Sequence, residues 1–321
     1  MLIPCLLFLL GLIFLIKGGD WFVDGATGIA HRFHLPEILI GATVVSIGTT
    51  LPEVMVSATS ALGGHGEIAY GNAIGSIICN TSLIAAITMA VSPGTVDRTT
   101  FKTPVIFFFG AAAFYMITAY TTGYFSRATG LILLAVFFIY MVYTVLQMKR
   151  APQTDLSSSE TASENDPAVS LAEENSMGKD IFLLILGAVL IAVGANLLVD
   201  NGTLIAQALG VPESVIALTF VALGTSLPEL VTAITSLLKG HGALSLGNVI
   251  GANLFNLVLV SGVSAALAPF KIPQSAVISG MNASLVLDLP VMLFVMAFLT
   301  IPALVRGKLS RLQGIVLLLV Y

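Results

Sequence analysis

The sequence predicts an all-α polytopic membrane protein of about ten transmembrane helices, arranged as two inverted five-helix repeats. Three observations carry this. The 321 residues are 57% hydrophobic and only 9% charged, with a mean hydropathy of +1.00, whereas a soluble domain is about 25% charged. The apolar residues fall in long runs, most of them near the roughly 20 residues that a bilayer-spanning helix needs. The chain also matches itself at a shift of about 176 residues. A soluble core of this size cannot hide so much apolar surface, so most side chains must meet lipid.

The runs and their breaks place segments at 2–30, 36–62, 67–91, 102–122, 128–148, 180–207, 212–238, 243–268, 275–302 and 310–321. The first run has no basic leader and no A-x-A cleavage pattern, so it reads as a retained helix. Segments two and seven are polar in the middle and interrupted by Gly and Pro. The last run stops short of a span, which predicts a truncated helix. Residues 149–179 are rich in Ser, Glu, Asp and Pro and read as a flexible linker. The organisation expected is therefore 1–148 as the first repeat, 149–179 as linker and 180–321 as the second repeat. Cys5 and Cys79 sit in apolar runs and read as free thiols. No basic footprint for nucleic acid is present.

Charge sets the orientation. With the N-terminus outside, Arg32, Arg98, Lys102, Lys149, Arg150, Lys179, Lys239, Arg306, Lys308 and Arg311 fall inside, and Arg127 and Lys271 outside. That asymmetry fits the positive-inside rule and makes the linker cytoplasmic.

The internal match is ungapped from 45–80 onto 221–256, and about 19 of the 44 positions over 41–84 are identical to their partners. Asp24 pairs with Asp200, and Leu35-Pro36-Glu37 with Val211-Pro212-Glu213. Further on, Ser126-Arg127-x-x-Gly130 matches Ser310-Arg311-x-x-Gly314 at a shift of about 184. Five segments per half is an odd number, so the second copy inserts upside down. Inverted repeats of this kind mark secondary transporters, with the substrate site near the midplane on broken helices.

The matched residues are the costly ones. Gly48-Thr49-Thr50-Leu51-Pro52-Glu53 lies over Gly224-Thr225-Ser226-Leu227-Pro228-Glu229. Proline lacks an N–H and clashes with the carbonyl four residues back, so Pro52 and Pro228 free the carbonyls of Gly48 and Gly224. A carboxylate at the midplane costs at least a few kcal/mol. Two that meet repel unless a cation or proton lies between them. Thr49 and Glu53 are i, i+4 and share a face, as do Thr225 and Glu229. Hard oxygen ligands without His or Cys point to Ca2+, Na+ or H+. The second motif is Gly71-Asn72-x-Ile74-Gly75-Ser76-x-x-x-Asn80, matching Gly247-Asn248-x-Ile250-Gly251-Ala252-x-x-x-Asn256. Ser76 and Asn80 share a face and can aim oxygens at the site; Asn256 keeps this ability, and Ala252 does not.

These paired segments resemble the alpha repeats of the cation/calcium exchanger superfamily, most of all its short prokaryotic sodium/calcium exchangers. The resemblance implies ten helices, alternating access and Na+ influx driving Ca2+ extrusion, with both ions as transported species and no cofactor. It assigns Ca2+ to Glu53 and Glu229 and flanking Na+ oxygens to Thr49, Thr50, Thr225, Ser226, Ser76 and Asn80. Ser46 and Ala222 would contribute backbone carbonyls. Asn256 stands where some relatives carry Asp, which removes one ionisable group. The absence of a large sensing domain points to a prokaryotic plasma membrane.

Other ionisable residues read as structural. Asp24 and Asp200 suit interfacial ion pairs or caps, and Glu37 and Glu213 are first-turn acids after Pro. Asp288 suits a hydrogen-bonded Asp beside a kink, and His65 and His241 suit G-H-G turns. Two rival functions remain open at this point: a proton-coupled cation antiporter of the same fold, and a cation channel. An enzyme is not expected, since no H-E-x-x-H or nucleophile elbow is present.

Overall fold

The computed structural model describes residues 2–150, 176–210, 224–274, 277–278 and 280–321. Among these are ten helices: α1 Leu2–Arg32, α2 Glu37–Leu62, α3 Gly66–Val91, α4 Arg98–Thr121, α5 Arg127–Arg150, α6 Met177–Ala208, α7 Leu227–Leu238, α8 Gly242–Leu267, α9 Ser284–Arg306 and α10 Arg311–Val320. Eight are long and apolar enough to cross a membrane, while α7 and α10 are shorter. Most of the expected linker, the first half of segment seven, Glu213 and Ala222 lie outside the described residues.

Small residues set how the helices meet, as lipid gives no hydrophobic drive between them. α1 and α6 run antiparallel along a glycine seam. A Cβ on Gly11 would stand 2.9 Å from the Gly194 carbonyl oxygen, and one on Gly18 would stand 3.0 Å from that of Gly187. The shift of 176 maps Gly11 onto Gly187 and Gly18 onto Gly194, so each contact is the mirror of the other. The same holds elsewhere. Gly130 of α5 abuts the Gly262 carbonyl and Ala266 amide of α8, while Gly314 of α10 abuts the Ala86 carbonyl and Ala90 amide of α3. Those partners are again 176 apart, so the late shift of 184 aligns residues that make equivalent contacts.

α8 forms the centre, buried from Leu244 to Phe255. It lies on α2 where Gly247 faces the Ile38 carbonyl and Gly251 faces Ser46 Oγ and the Ala42 backbone. The outer faces carry exposed Leu9, Ile13, Ile16, Leu131 and Phe138, as a lipid boundary requires.

Several segment boundaries differ from expectation. α4 starts at Arg98 because Asp97 caps it, accepting from the amides of Thr99 and Thr100 at 3.0 and 3.3 Å; an apolar-run reading does not register a cap. α9 starts at Ser284 because Val277–Ile278 (β3) pairs with Met281–Asn282 (β4) across Gly280, at φ +81. A second short pair joins Tyr124–Phe125 (β1) to Phe270–Lys271 (β2), a small departure from an all-helical chain. The irregularity expected at Pro52 falls earlier, since α2 widens into a π-turn at Gly41–Val45 and then runs regularly through Pro52. Pro228 sits in the first turn of α7, where a missing N–H leaves no intrahelical bond unmade.

Four ion pairs lie among the described residues, all at one end of the bundle. Arg32 meets Asp180 at 3.2 Å, Lys239 meets Asp24 at 2.7 Å and Asp20 at 3.7 Å, and His241 Nδ1 meets Glu37 at 2.7 Å. Asp24 is thus an ion-pair residue, whereas its counterpart Asp200 is exposed.

Candidate functional site

Glu53 stands in mid-helix on α2. Glu229 stands in the first turn of α7, where free amides and the helix dipole favour a negative group. Both residues are 0% exposed, and none of their four carboxylate oxygens accepts a hydrogen bond. They are close enough for their charges to interact. Thr49 and Thr50 stand beside the Glu229 carboxylate, although neither closes a hydrogen bond to it.

Most of the other expected residues that are described are buried as well. Thr50, Ser226, Asn80 and Asn256 are buried, and the hydroxyls and both amide groups have no partner. Ser226 is the N-cap of α7. Ser76 is buried on α3 one turn before Asn80. Asn80 and Asn256 each open a π-turn, Asn80–Ala85 and Asn256–Val260, at positions related by the 176 shift. These wide turns pack across the halves: that of α3 meets α7, and that of α8 meets α2. Nothing in the hydropathy marks a π-turn, although such turns recur at functional sites.

Two further residues of the second motif, Asn72 and Asn248, bond across the halves to the threonines of the first. Thr49 Oγ1 donates to Asn248 Oδ1 at 3.2 Å, and Thr225 Oγ1 donates to Asn72 Oδ1 at 3.1 Å. The two bonds are symmetry mates, each crossing from one half to the other. Their signal was the Gly-Asn dipeptide repeated in both copies of the motif. Asn72 also donates to Ser57 Oγ at 2.8 Å and to the Glu53 carbonyl at 3.3 Å. Asn248 has no such donor bond: its counterpart of Ser57 is Ala233, and its Nδ2 has no partner.

Ser46 was expected to act through its carbonyl. In the fold its hydroxyl is also engaged, donating to the Gly41 carbonyl at 2.7 Å and the Asn248 carbonyl at 3.0 Å. Cys79 is a free buried thiol beside Ser226 and both carboxylates. Asp288 closes the π-turn Ser284–Asp288 just before Pro290, and its side chain makes no hydrogen bond among the described residues, unlike the hydrogen-bonded Asp expected there.

Chemically, the arrangement is a largely buried set of oxygens with two fully buried acidic groups. Burying an unpaired charge is expensive, and hydrocarbon supplies no donor to offset it. A hard cation accepts such oxygens without needing a proton donor.

Fold and centre together define an integral helical membrane protein whose two halves share one buried polar core. The family model for the sodium/calcium exchanger protein matches residues 3–146 and 179–321. The chain belongs to the sodium/calcium exchanger family, a family of transporters. It is 36% identical over 322 residues to an uncharacterised membrane protein of Methanocaldococcus jannaschii, covering 98% of this chain and 94% of that protein. It is 30% identical over 342 residues to the sodium/calcium exchanger MaX1 of Methanosarcina acetivorans, covering 98% and 95%. The solved structure of the sodium-calcium exchanger NCX_Mj superposes with a TM-score of 0.80 at 33% identity, covering 100% of this chain and 97% of that one.

Proposed function

We propose that this protein is a secondary active antiporter that exchanges Na+ for Ca2+ by alternating access. The observation that carries the reading is the pair of fully buried, donorless carboxylates, Glu53 and Glu229, on matched helices. In this reading Ca2+ is held between them. Thr49, Thr50, Thr225, Ser226, Ser76, Asn80, Asn256 and the carbonyls of Ser46 and Ala222 complete the Na+ and Ca2+ oxygens. Two carboxylates neutralise one divalent or two monovalent cations, which is the charge equivalence exchange needs. Residues 1–148 and 180–321 are the two inverted halves, joined by 149–179. The end that carries Arg32, Arg98, Lys239, Arg306 and Lys308 faces the cytoplasm of a prokaryotic cell, following the positive-inside rule. The membership of a sodium/calcium exchanger family and the likeness to NCX_Mj support the choice of ions.

The test is radioactive Ca2+ uptake into Na+-loaded proteoliposomes against a Na+-free control at matched pH. Wild type should need internal Na+, and Glu53→Gln and Glu229→Gln should each abolish uptake. Uptake that ignores Na+ and follows a pH gradient would replace Na+ with H+ as the coupling ion. Activity surviving both substitutions would remove the glutamates from the site.

A further inference from the structure

At the end of the bundle where the ion pairs lie, the starts of α2, α4 and α8 and the end of α3 enclose a cavity of about 380 Å3. Arg98, Lys239 and Lys308 are near neighbours in the chain, Lys239 already paired with Asp20 and Asp24, but none of them lines the cavity wall. Its ionisable lining groups are the carboxylates of Glu37 and Asp97, with Thr88, Thr100 and Ser245 as hydroxyls and no Lys or Arg. Among the described residues the wall thus carries acidic and hydroxyl oxygens and no basic group, a lining that suits a cation rather than an anion.

Ser245 gives the cavity a direction. It lines the wall, is 0% exposed, and its Oγ has no hydrogen-bond partner. One turn deeper on α8 stands Asn248, whose Nδ2 is also unpartnered and whose Oδ1 takes the hydrogen bond from Thr49. Thr49 in turn lies beside Glu229. Cavity, Ser245, Asn248, Thr49 and Glu229 thus succeed one another as oxygen-bearing groups through apolar surroundings that include Met89 and Val249. Glu37 marks the mouth. One of its oxygens is tied to His241 at 2.7 Å, which fixes the carboxylate at the entrance and leaves the other oxygen outside that bond.

We propose that this cavity is a second cation station, an antechamber in which Glu37 captures the cation and Ser245 passes it toward Asn248 and the paired glutamates. The proposal rests on the antiporter reading for the identity of the ion but not for the existence of the station.

The test separates the two. In membrane vesicles of known sidedness, Glu37→Gln keeps a side chain that can bond His241 and removes only the charge. Half-saturation for Ca2+ presented at the Glu37 end should rise by roughly tenfold, the size expected for loss of one charge-assisted contact. Half-saturation at the opposite end and the maximal rate should stay as in wild type. An equal change at both ends, or none at either, would overturn the station. Independently, Thr88→Cys, at a partly exposed position of the cavity wall, in a Cys5→Ser, Cys79→Ala background should react with a membrane-impermeant thiol reagent only from the Glu37 end, and more slowly with Ca2+ present. Labelling from the opposite end, or none in a folded protein, would also overturn it. If transport proves independent of Na+ while sided labelling and the sided Glu37→Gln effect persist, the Na+ coupling falls and the station stands.

Discussion

Asn248 holds two elements in register with one side chain, accepting from Thr49 and lying 3.3 Å from the Ser46 hydroxyl. Removing one partner of a buried hydrogen bond costs about 1–3 kcal/mol. Asn248→Ala should therefore lower the melting temperature in detergent and weaken Na+ dependence, because Thr49 loses the bond that aims it. Ser46→Ala removes a donor whose acceptors have other ways to be satisfied, and should cost less, about 0.5–1.5 kcal/mol. Asp97 offers a contrast at the surface. Burial works against its charge, but the Thr100 hydroxyl and the amides of Thr99 and Thr100 hold its carboxyl below the usual range. A depressed carboxyl contributes stability that is present above its unfolded value, near pH 4, and lost as pH falls through the folded value. Asp97→Ala should cost about 0.5–2 kcal/mol as a lost N-cap, and acid titration of the melting temperature should show the wild type losing that advantage below about pH 4 while the variant has none to lose.

At the scale of elements, the seam between α1 and α6 has no room for side chains at its glycines. A Cβ at Gly187 would lie 2.5 Å from the Phe22 amide nitrogen, and its collision is with backbone that cannot turn aside. Gly187→Val should separate the helices and cost at least the roughly 1–3 kcal/mol of ordinary overpacking, seen as lower yield and earlier thermal unfolding. Gly64→Ala meets no neighbour but sits at φ +84, so its smaller penalty would come from backbone strain alone. Much of this level was legible in the sequence. Apolar runs and the doubled G-[TS]-[TS]-L-P-E motif placed the helices and the symmetry and pointed to an acidic pair, since hydropathy and buried carboxylates leave plain marks in residue type. The π-turns at Asn80 and Asn256, the cap at Asp97 and the roles of Asn72 and Asn248 were not legible. The Asn72 and Asn248 roles depend on hydrogen bonds to residues distant in sequence, the π-turns on one extra residue in a turn, and the cap on a polar residue ahead of the apolar run; none of these alters the apolar pattern. Pro52 shows the same limit from the other side: its residue type signalled a break, and the surrounding packing keeps the helix regular.

At the scale of the whole molecule, the halves are copies in glycine contacts and in the Thr–Asn bonds, and they are unlike in charge. The shift of 176 carries Lys239 onto Gly63, Asp20 onto Asn196, Arg32 onto Ala208 and Asp180 onto Pro4. None of those four counterparts is ionisable. The bonds Arg32–Asp180 and Lys239–Asp24 accordingly have no images at the far end. Lys239 and Asp24 are about a quarter and a half exposed, and such pairs are worth about 0–1 kcal/mol. Asp180 is 2% exposed in its side chain, so its pair matters more when broken.

A perfectly duplicated carrier would be a coin with identical faces, spending equal time on each. These ion pairs mint the two faces differently. In the alternating cycle proposed above, whichever arrangement parts α1 from the ends of α6 and α7 must break them, and about 1.4 kcal/mol is enough to make one orientation ten times rarer than the other. The overall exchange equilibrium stays fixed by the ion gradients; what shifts is how long the carrier waits on each side. Lys239→Met should shorten that wait, visible as a several-fold convergence of the half-saturations measured from the two sides. A tilt built from charges at one end is therefore a timing device, and salt, which screens exposed charges, should reset it without touching the buried glutamates.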